Sequence, residues 1–224
     1  AFKAKLGVDV DGGTENATAN TYFNGTMDDV RVYNKALSST EVASIYNLGA
    51  ASHVNVSTAN KLTSGLVGYW TFDGKDTPWT SATAATTIDK SGNGNTGTLT
   101  NMAQATSPIA GKIGQGLKFD GVDDYVTAAD NDIFDPTNLS VSFWVKPNSI
   151  ANDPVIVLHG NNSTGWYVEL YANGRLVLRT TQDNLTTTTG LVSVGSWKHV
   201  VITHDGTNDK FYIDGTLRET LNDT

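Results

Sequence analysis

The chain has 224 residues, with 15 Lys+Arg against 23 Asp+Glu and a formal net charge of −8 at pH 7. A length of this order buries a sizeable core and suits one large all-β domain or one and a half smaller ones. The acidic balance excludes a basic footprint for nucleic acid or an anionic membrane, and the lack of Cys excludes disulfides, thiolate nucleophiles and thiolate zinc sites.

The longest apolar runs, such as Val155–Leu158, are too short to span a bilayer, so no membrane insertion is expected. The start at Ala1 is neither an initiator Met nor a signal peptide and reads as a processed or excised piece. Charged residues make up only 17%, and Thr, Asn, Gly and Ser fill the deficit, which suits a secreted β protein rich in polar turns. Glutamate occurs only at Glu15, Glu41, Glu169 and Glu219; every other acid is Asp, the acid of turns and calcium loops.

In chain order, Ser38–Glu41 (SSTE) is a capping box, because the Ser hydroxyl and the Glu carboxylate can each satisfy an exposed backbone N–H. Val42, Ile45 and Tyr46 then fall on one helical face, and Gly49 is placed to stop a helix of about two and a half turns. Ala50–Ser64 is small and polar and reads as a linker. Lys118–Val126 is a strand, a turn and a strand, and Ser140–Lys146 puts Val141, Phe143 and Val145 on one face. Gly165–Ala172 and Arg175–Thr181 flank Asn173-Gly174, a strong hairpin signal. Trp197–Thr203 runs into a turn at His204–Gly206, and Lys210–Ile213 turns at Asp214-Gly215. Short strands at this spacing predict an antiparallel β sandwich or jelly roll with one short helix.

The residues carry a family likeness. Gly65–Gly74 (GLVGYWTFDG), Asp89–Asn95 (DKSGNGN) and Phe119–Val126 (FDGVDDYV) follow in order, then Ser142–Lys146 (SFWVK), Trp197–Val200 (WKHV), Asp205-Gly206 and Tyr212–Gly215 (YIDG). This series resembles the laminin-G-like, concanavalin A-like jelly-roll domains of bacterial surface proteins. Phe23–Tyr33 (FNGTMDDVRVY) with Lys35–Ser38 (KALS) resembles the same family, but there it is the closing strand and terminal helix. Here the closing strand precedes the opening strand near 66–73. Residues 1–48 are thus read as closing strands and helix, 49–65 as linker, and 66–224 as the remainder. Three arrangements stay open: closure within the chain, a cut through a tandem array, or donation of residues 1–48 to a neighbouring copy.

The resemblance implies a structural calcium where opening and closing strands meet. It carries over to Asp73 and to Asp28 or Asp29, with the Asp89 to Asn95 loop, including Asn93, as further oxygen donors. The bland alternative is that these residues make Asx turns and cap strands. Asp120, Asp123 and Asp124 read as turn structure. Hydrolases with this sandwich use a Glu-x-Asp-x-x-Glu strand, which four scattered glutamates cannot supply, and no Gly-x-Ser-x-Gly elbow occurs, so no enzyme activity is expected. His53, His159, His199 and His204 lack metal-ligand spacing.

Sugar binding needs flat rings for pyranose faces and polar groups for hydroxyls. Trp166, Tyr167, Tyr171, Arg175 and Arg179 share one hairpin, and Trp79 sits beside Pro78 as the expected exposed Trp. The expectation is a non-catalytic extracellular adhesion or carbohydrate-binding module whose partner is a glycan or surface protein. The alternative is a structural subunit of a polymer built from further copies of itself.

Overall fold

The structure, a computed structural model, describes residues 3–8, 10–11, 14–15, 22–50, 62–161, 164–180 and 184–222. The chain begins with β1 (Ala4–Leu6), β2 (Val10–Asp11), β3 (Thr14–Glu15) and β4 (Asn24–Tyr33), followed by α1 (Ser39–Ala50). Next come β5 (Leu66–Trp70), β6 (Trp79–Ser81), β7 (Ala84–Thr87), β8 (Gly97–Thr100) and β9 (Pro108–Ala110). Then follow β10 (Gln115–Asp120), β11 (Tyr125–Ala128), a 3-10 turn at Asp132–Phe134, β12 (Leu139–Ser149) and β13 (Val155–Asn161). The last elements are β14 (Thr164–Leu170), β15 (Leu176–Arg179), β16 (Asn184–Thr186), β17 (Lys198–His204), β18 (Asn208–Ile213) and β19 (Thr216–Asn222).

Two antiparallel sheets face each other across one core. The first has the order β16-β15-β14-β13-β1-β11-β8-β7-β6; the second runs β19-β18-β17-β12-β4-β10-β9, with β5 also on β4. The inward-facing side chains form the core, Val141, Phe143 and Val145 of β12 meeting Trp166, Val168 and Leu170 of β14. The alternation read from the sequence survives because burying every second residue of a strand removes the most apolar surface from water.

Two N-terminal strands, β1 and β4, sit in the middle of the two large sheets, while β2 and β3 pair with each other. β1 lies between β11 and β13, pairing Lys5 with Thr127 on one side and Leu158 on the other. β4 pairs along β12, and its other edge is shared by β10 and β5. Removing them would divide the first sheet in two and leave the second as β19-β18-β17-β12, β10-β9 and a detached β5.

β4 carries the irregularity that matters most. Its register against β12 shifts between Ser142 and Trp144, so that Asp29 and Val30 both lie opposite Phe143, with Asp29 at φ 55. Met27, Val30 and Val32 can thereby all reach the core, a spacing that a regular strand cannot give. Asp tolerates the left-handed backbone better than most residues.

Helix α1 covers the outer face of the second sheet. Glu41 and Ser38 form the expected capping box: Ser38 N–H donates to Glu41 Oε2 at 2.8 Å and Glu41 N–H to Ser38 Oγ at 3.3 Å. Val42 and Ile45 pack with Tyr33, Leu37, Val201 and Tyr212. Gly49 does not stop the helix, which runs to Ala50. Its role is closeness: a Cβ there would come within 2.5 Å of Trp144 Nε1. The linker read over 49–65 thus begins inside α1, and it ends on Leu62, which is buried against the helix cluster. Residues 51–61 between them lie outside the described residues.

Candidate functional site

The bulge in β4 meets the end of β5 and a glycine-rich turn between β9 and β10. Asp28 is fully buried, and its Oδ2 accepts from Lys112 N–H at 2.8 Å and Ile113 N–H at 2.7 Å. Asp73 Oδ1 accepts from Gln115 N–H at 2.8 Å, while Gln115 Oε1 takes Gly74 N–H at 2.9 Å. A Cβ at Gly111 would lie 2.6 Å from Asp28 Oδ2, and one at Gly114 would collide with Asp73 Oδ1. The glycines are therefore what lets one turn cradle both carboxylates.

Asp28 Oδ1 is buried without a hydrogen-bond partner. Burial pushes the Asp28 pKa up to about 8, with the Asp29 and Asp73 charges adding to it against the pull of the two backbone N–H groups. Two neighbouring carboxylates with an unmatched buried oxygen form a hard-oxygen donor set of the kind that could hold a divalent cation, other oxygens completing the shell.

The other expected metal residues are differently engaged. Asp29 Oδ2 pairs with Arg31 Nη2 at 2.8 Å, and Tyr69 O–H donates to Asp29 Oδ1 at 2.6 Å. Burial opposes the charge on Arg31, but Asp29 and the Tyr69 and Tyr33 rings' hydroxyls hold its pKa above the ordinary value. Asp89 accepts from the N–H groups of Tyr69, Ser91 and Asn95, and Asn93 Nδ2 donates to the Leu66 and Val67 carbonyls. These bonds fasten the 89–95 loop to β5.

The candidate sugar residues divide by strand alternation. Trp166 belongs to the core and donates its Nε1–H to the Phe134 carbonyl at 2.8 Å, so it is no platform. Trp79 is not in an open loop: it lies in β6, half-buried against the core. Tyr167, Tyr171, Arg175 and Arg179 remain half-buried on the outer side of β14, β15 and their turn. Arg179 lies 5.5 Å from the Tyr167 ring centre and donates to Tyr171 Oη at 3.2 Å. Arg175 lies 5.9 Å from the Tyr171 ring and donates to the Thr187 carbonyl at 2.6 Å. Glu169, absent from the sequence-based set, stands in the same row, 3.5 Å from Arg179 Nε; period-2 alternation with Tyr167 and Tyr171 was the signal for it. The glycine turn was also missed, though Gly111, Gly114 and Gly116 between two strand patterns mark it.

The Asp120, Asp123 and Asp124 carboxylates lie within 4.8 Å of one another. Asp120 Oδ1 accepts from Val122 and Asp123 N–H, and Asp124 Oδ2 from Asp120 N–H, as in an Asx turn. Burial, with the Asp120 charge, raises the Asp124 pKa to about 6. The described histidines do not converge: His159 faces Asp130 and Asp135, His199 meets Ser142, and His204 meets Asp209. His53 lies outside the described residues.

A family model described as the concanavalin A-like lectin/glucanases superfamily, of laminin G type, matches residues 120–224. No curated protein and no solved structure matches the chain significantly. The match spans the end of β10 through β19, and the sandwich is completed by strands from the N-terminal part. Two facing antiparallel sheets, the ordered motifs and the match over residues 120–224 agree on an antiparallel two-sheet sandwich of the concanavalin A-like, laminin-G-like jelly-roll type.

Proposed function

We propose that the protein is a non-catalytic extracellular carbohydrate-binding or adhesion module, with a structural calcium held by Asp28 and Asp73. The observation that carries the binding reading is the outward row of Tyr167, Tyr171, Arg175 and Arg179, with Glu169 beside Arg179. Tyr rings offer apolar faces to sugar rings, while guanidinium and carboxylate groups match hydroxyls. The calcium reading rests on the orphaned Asp28 Oδ1 and the glycine cradle. Calcium bound there would neutralise two close carboxylates and tie β4 to the end of β5.

The alternative, a polymer subunit that donates residues 1–48 to the next copy, draws on the central positions of β1 and β4. Their pairing within the chain supports the self-contained module, since donation would first open both sheets. The test is a glycan array in calcium, with light scattering on the same sample. A particle near 23.8 kDa that binds glycan supports the module, as does at least about tenfold weaker binding by Tyr171→Ala and Arg179→Ala. A protein that binds no glycan and forms filaments refutes it.

A further inference from the structure

The second sheet carries an apolar cluster on each face. Val200 and Phe211 point into the main core between the sheets, whereas Val201 and Tyr212 point the other way, into a separate cluster with Val42 and Ile45 of α1. Helix α1 is therefore packed on the sandwich and not into it. Elements whose apolar contacts lie outside the main core open locally at a lower cost than the whole domain.

The sheet face that α1 covers is polar. Tyr33 Oη, Trp144 Nε1 and His199 Nδ1 are buried there without a hydrogen-bond partner. Tyr33 lies in the cluster with Val42 and Ile45, and the Trp144 and His199 rings are 5.0 Å apart. The Tyr46 ring of α1 lies 5.7 Å from Trp144 and 5.8 Å from His199. His199, kept neutral by burial, already uses Nε2 on Ser142 Oγ at 3.0 Å, so Nδ1 is left over. A buried polar group without a partner costs free energy that water restores on arrival. Apolar contact holds α1 down, and three polar groups that it keeps dry oppose it.

The two ends of the helix are fastened differently. At the N-terminal end, Leu37 N–H donates to Ser140 Oγ at 2.9 Å and Ser140 O–H donates to the Lys35 carbonyl at 2.7 Å. There too Lys35 Nζ lies 2.6 Å from Oε1 of Glu41, the acid of the capping box. The C-terminal end meets the sheet through rings, with Tyr46 on Trp144 and His199 and with Gly49 close against Trp144 Nε1. The polar clasp makes the first end a hinge, and the unmatched nitrogens lie under the other.

We propose that α1 is a flap, hinged at Leu37 and Ser38, whose C-terminal end lifts from the second sheet while the sandwich stays closed. Lifting hydrates Tyr33 Oη, Trp144 Nε1 and His199 Nδ1 and bares the Trp144 ring, giving the outer face of this sheet a second state. This motion is independent of the carbohydrate and calcium readings above.

The test is hydrogen exchange of the full chain, followed by NMR at several low urea concentrations. The expected result is that the amides of residues 45–50 are at least about tenfold less protected than those of residues 156–158 in β13, with a weaker urea dependence. The Trp144 indole N–H exchanges with the helix, while the Trp166 indole N–H, bonded to the Phe134 carbonyl, exchanges with the core. Tyr33→Phe removes one unmatched hydroxyl and keeps the ring, so α1 exchange slows by about fivefold. Equal protection and equal urea dependence for α1 and β13 overturn the flap. A Trp144 indole as protected as that of Trp166 while the α1 amides exchange overturns it too, since the helix then frays in place. Faster or unchanged α1 exchange in folded Tyr33→Phe overturns the polar floor as its cause.

Discussion

Asp28 and Asp73 are held by neighbouring amides of one turn: Lys112 and Ile113 N–H donate to Asp28 Oδ2, and Gln115 N–H donates to Asp73 Oδ1. The first residue comes from the closing strand and the second from the end of the opening strand, so the pair spans the junction that completes the sandwich.

A cation bound at this junction stabilises the folded state alone. At roughly 100 times its dissociation constant, calcium adds about 2.7 kcal/mol, a rise in melting temperature of about 5–11 °C for a chain of this size. Asp28→Asn and Asp73→Asn each remove that calcium-dependent increment, and Gly114→Ala does so by driving a Cβ into Asp73 Oδ1. Calorimetry with calcium and with chelator checks this; identical curves for the unmodified chain would count against the cation.

Asp89 behaves oppositely. Its carboxylate satisfies three backbone N–H groups and the Ser91 hydroxyl. Asp89→Ala leaves those donors unmatched and costs about 3 kcal/mol or more. Urea titration shows the same loss with calcium and with chelator; a loss seen only with calcium would instead make Asp89 a ligand.

Gly49→Ala decides between two opposing effects. Replacing Gly by Ala within a helix ordinarily gains about 1 kcal/mol. Here the new Cβ would lie 2.5 Å from Trp144 Nε1, and the Trp144 ring is buried in a three-ring cluster with Tyr46 and His199. Overpacking wins, and the variant is less stable by about 1–3 kcal/mol. A stabilised Gly49→Ala would mean that α1 sits farther from the sheet.

His199 makes stability fall in acid. Burial, aided by the Arg31 charge and opposed by Asp214, lowers its pKa from 6.5 to about 3, so the folded state keeps the ring neutral beside Ser142, Trp144 and Tyr46. An unfolded chain takes up the proton first. The stabilisation is therefore complete above pH 6.5 and is lost as pH falls toward 3, with a slope approaching about 1.4 kcal/mol per unit. His199→Gln flattens this part of the profile; parallel profiles from pH 4 to 7 for both proteins would rule His199 out as the cause.

By itself the sequence determined the layers and their sides. Period-2 alternation in β12, Asn173-Gly174 between β14 and β15, and the Ser38–Glu41 cap are local chemistry, legible because each depends on a few adjacent residues. The resemblance also joined Asp73 to Asp28 or Asp29 without choosing between the two. What only the tertiary structure decided is how each polar group is used. Asp28, Asp29, Asp89 and Asn93 look alike as oxygen donors in the sequence, yet Arg31 claims Asp29 as an ion pair, the backbone of β5 and its following loop claims Asp89 and Asn93, and Asp28 Oδ1 is left buried without a hydrogen-bond partner. Trp166 and Tyr167 are neighbours in the chain, but the pleat sends one to the core and the other outward. The polar face under α1 draws on Tyr33, Trp144 and His199, which are far apart in sequence. Hydrogen-bond partners and unmatched polar groups are long-range properties: they depend on which distant strand lies alongside, and that is settled only when the sheets close.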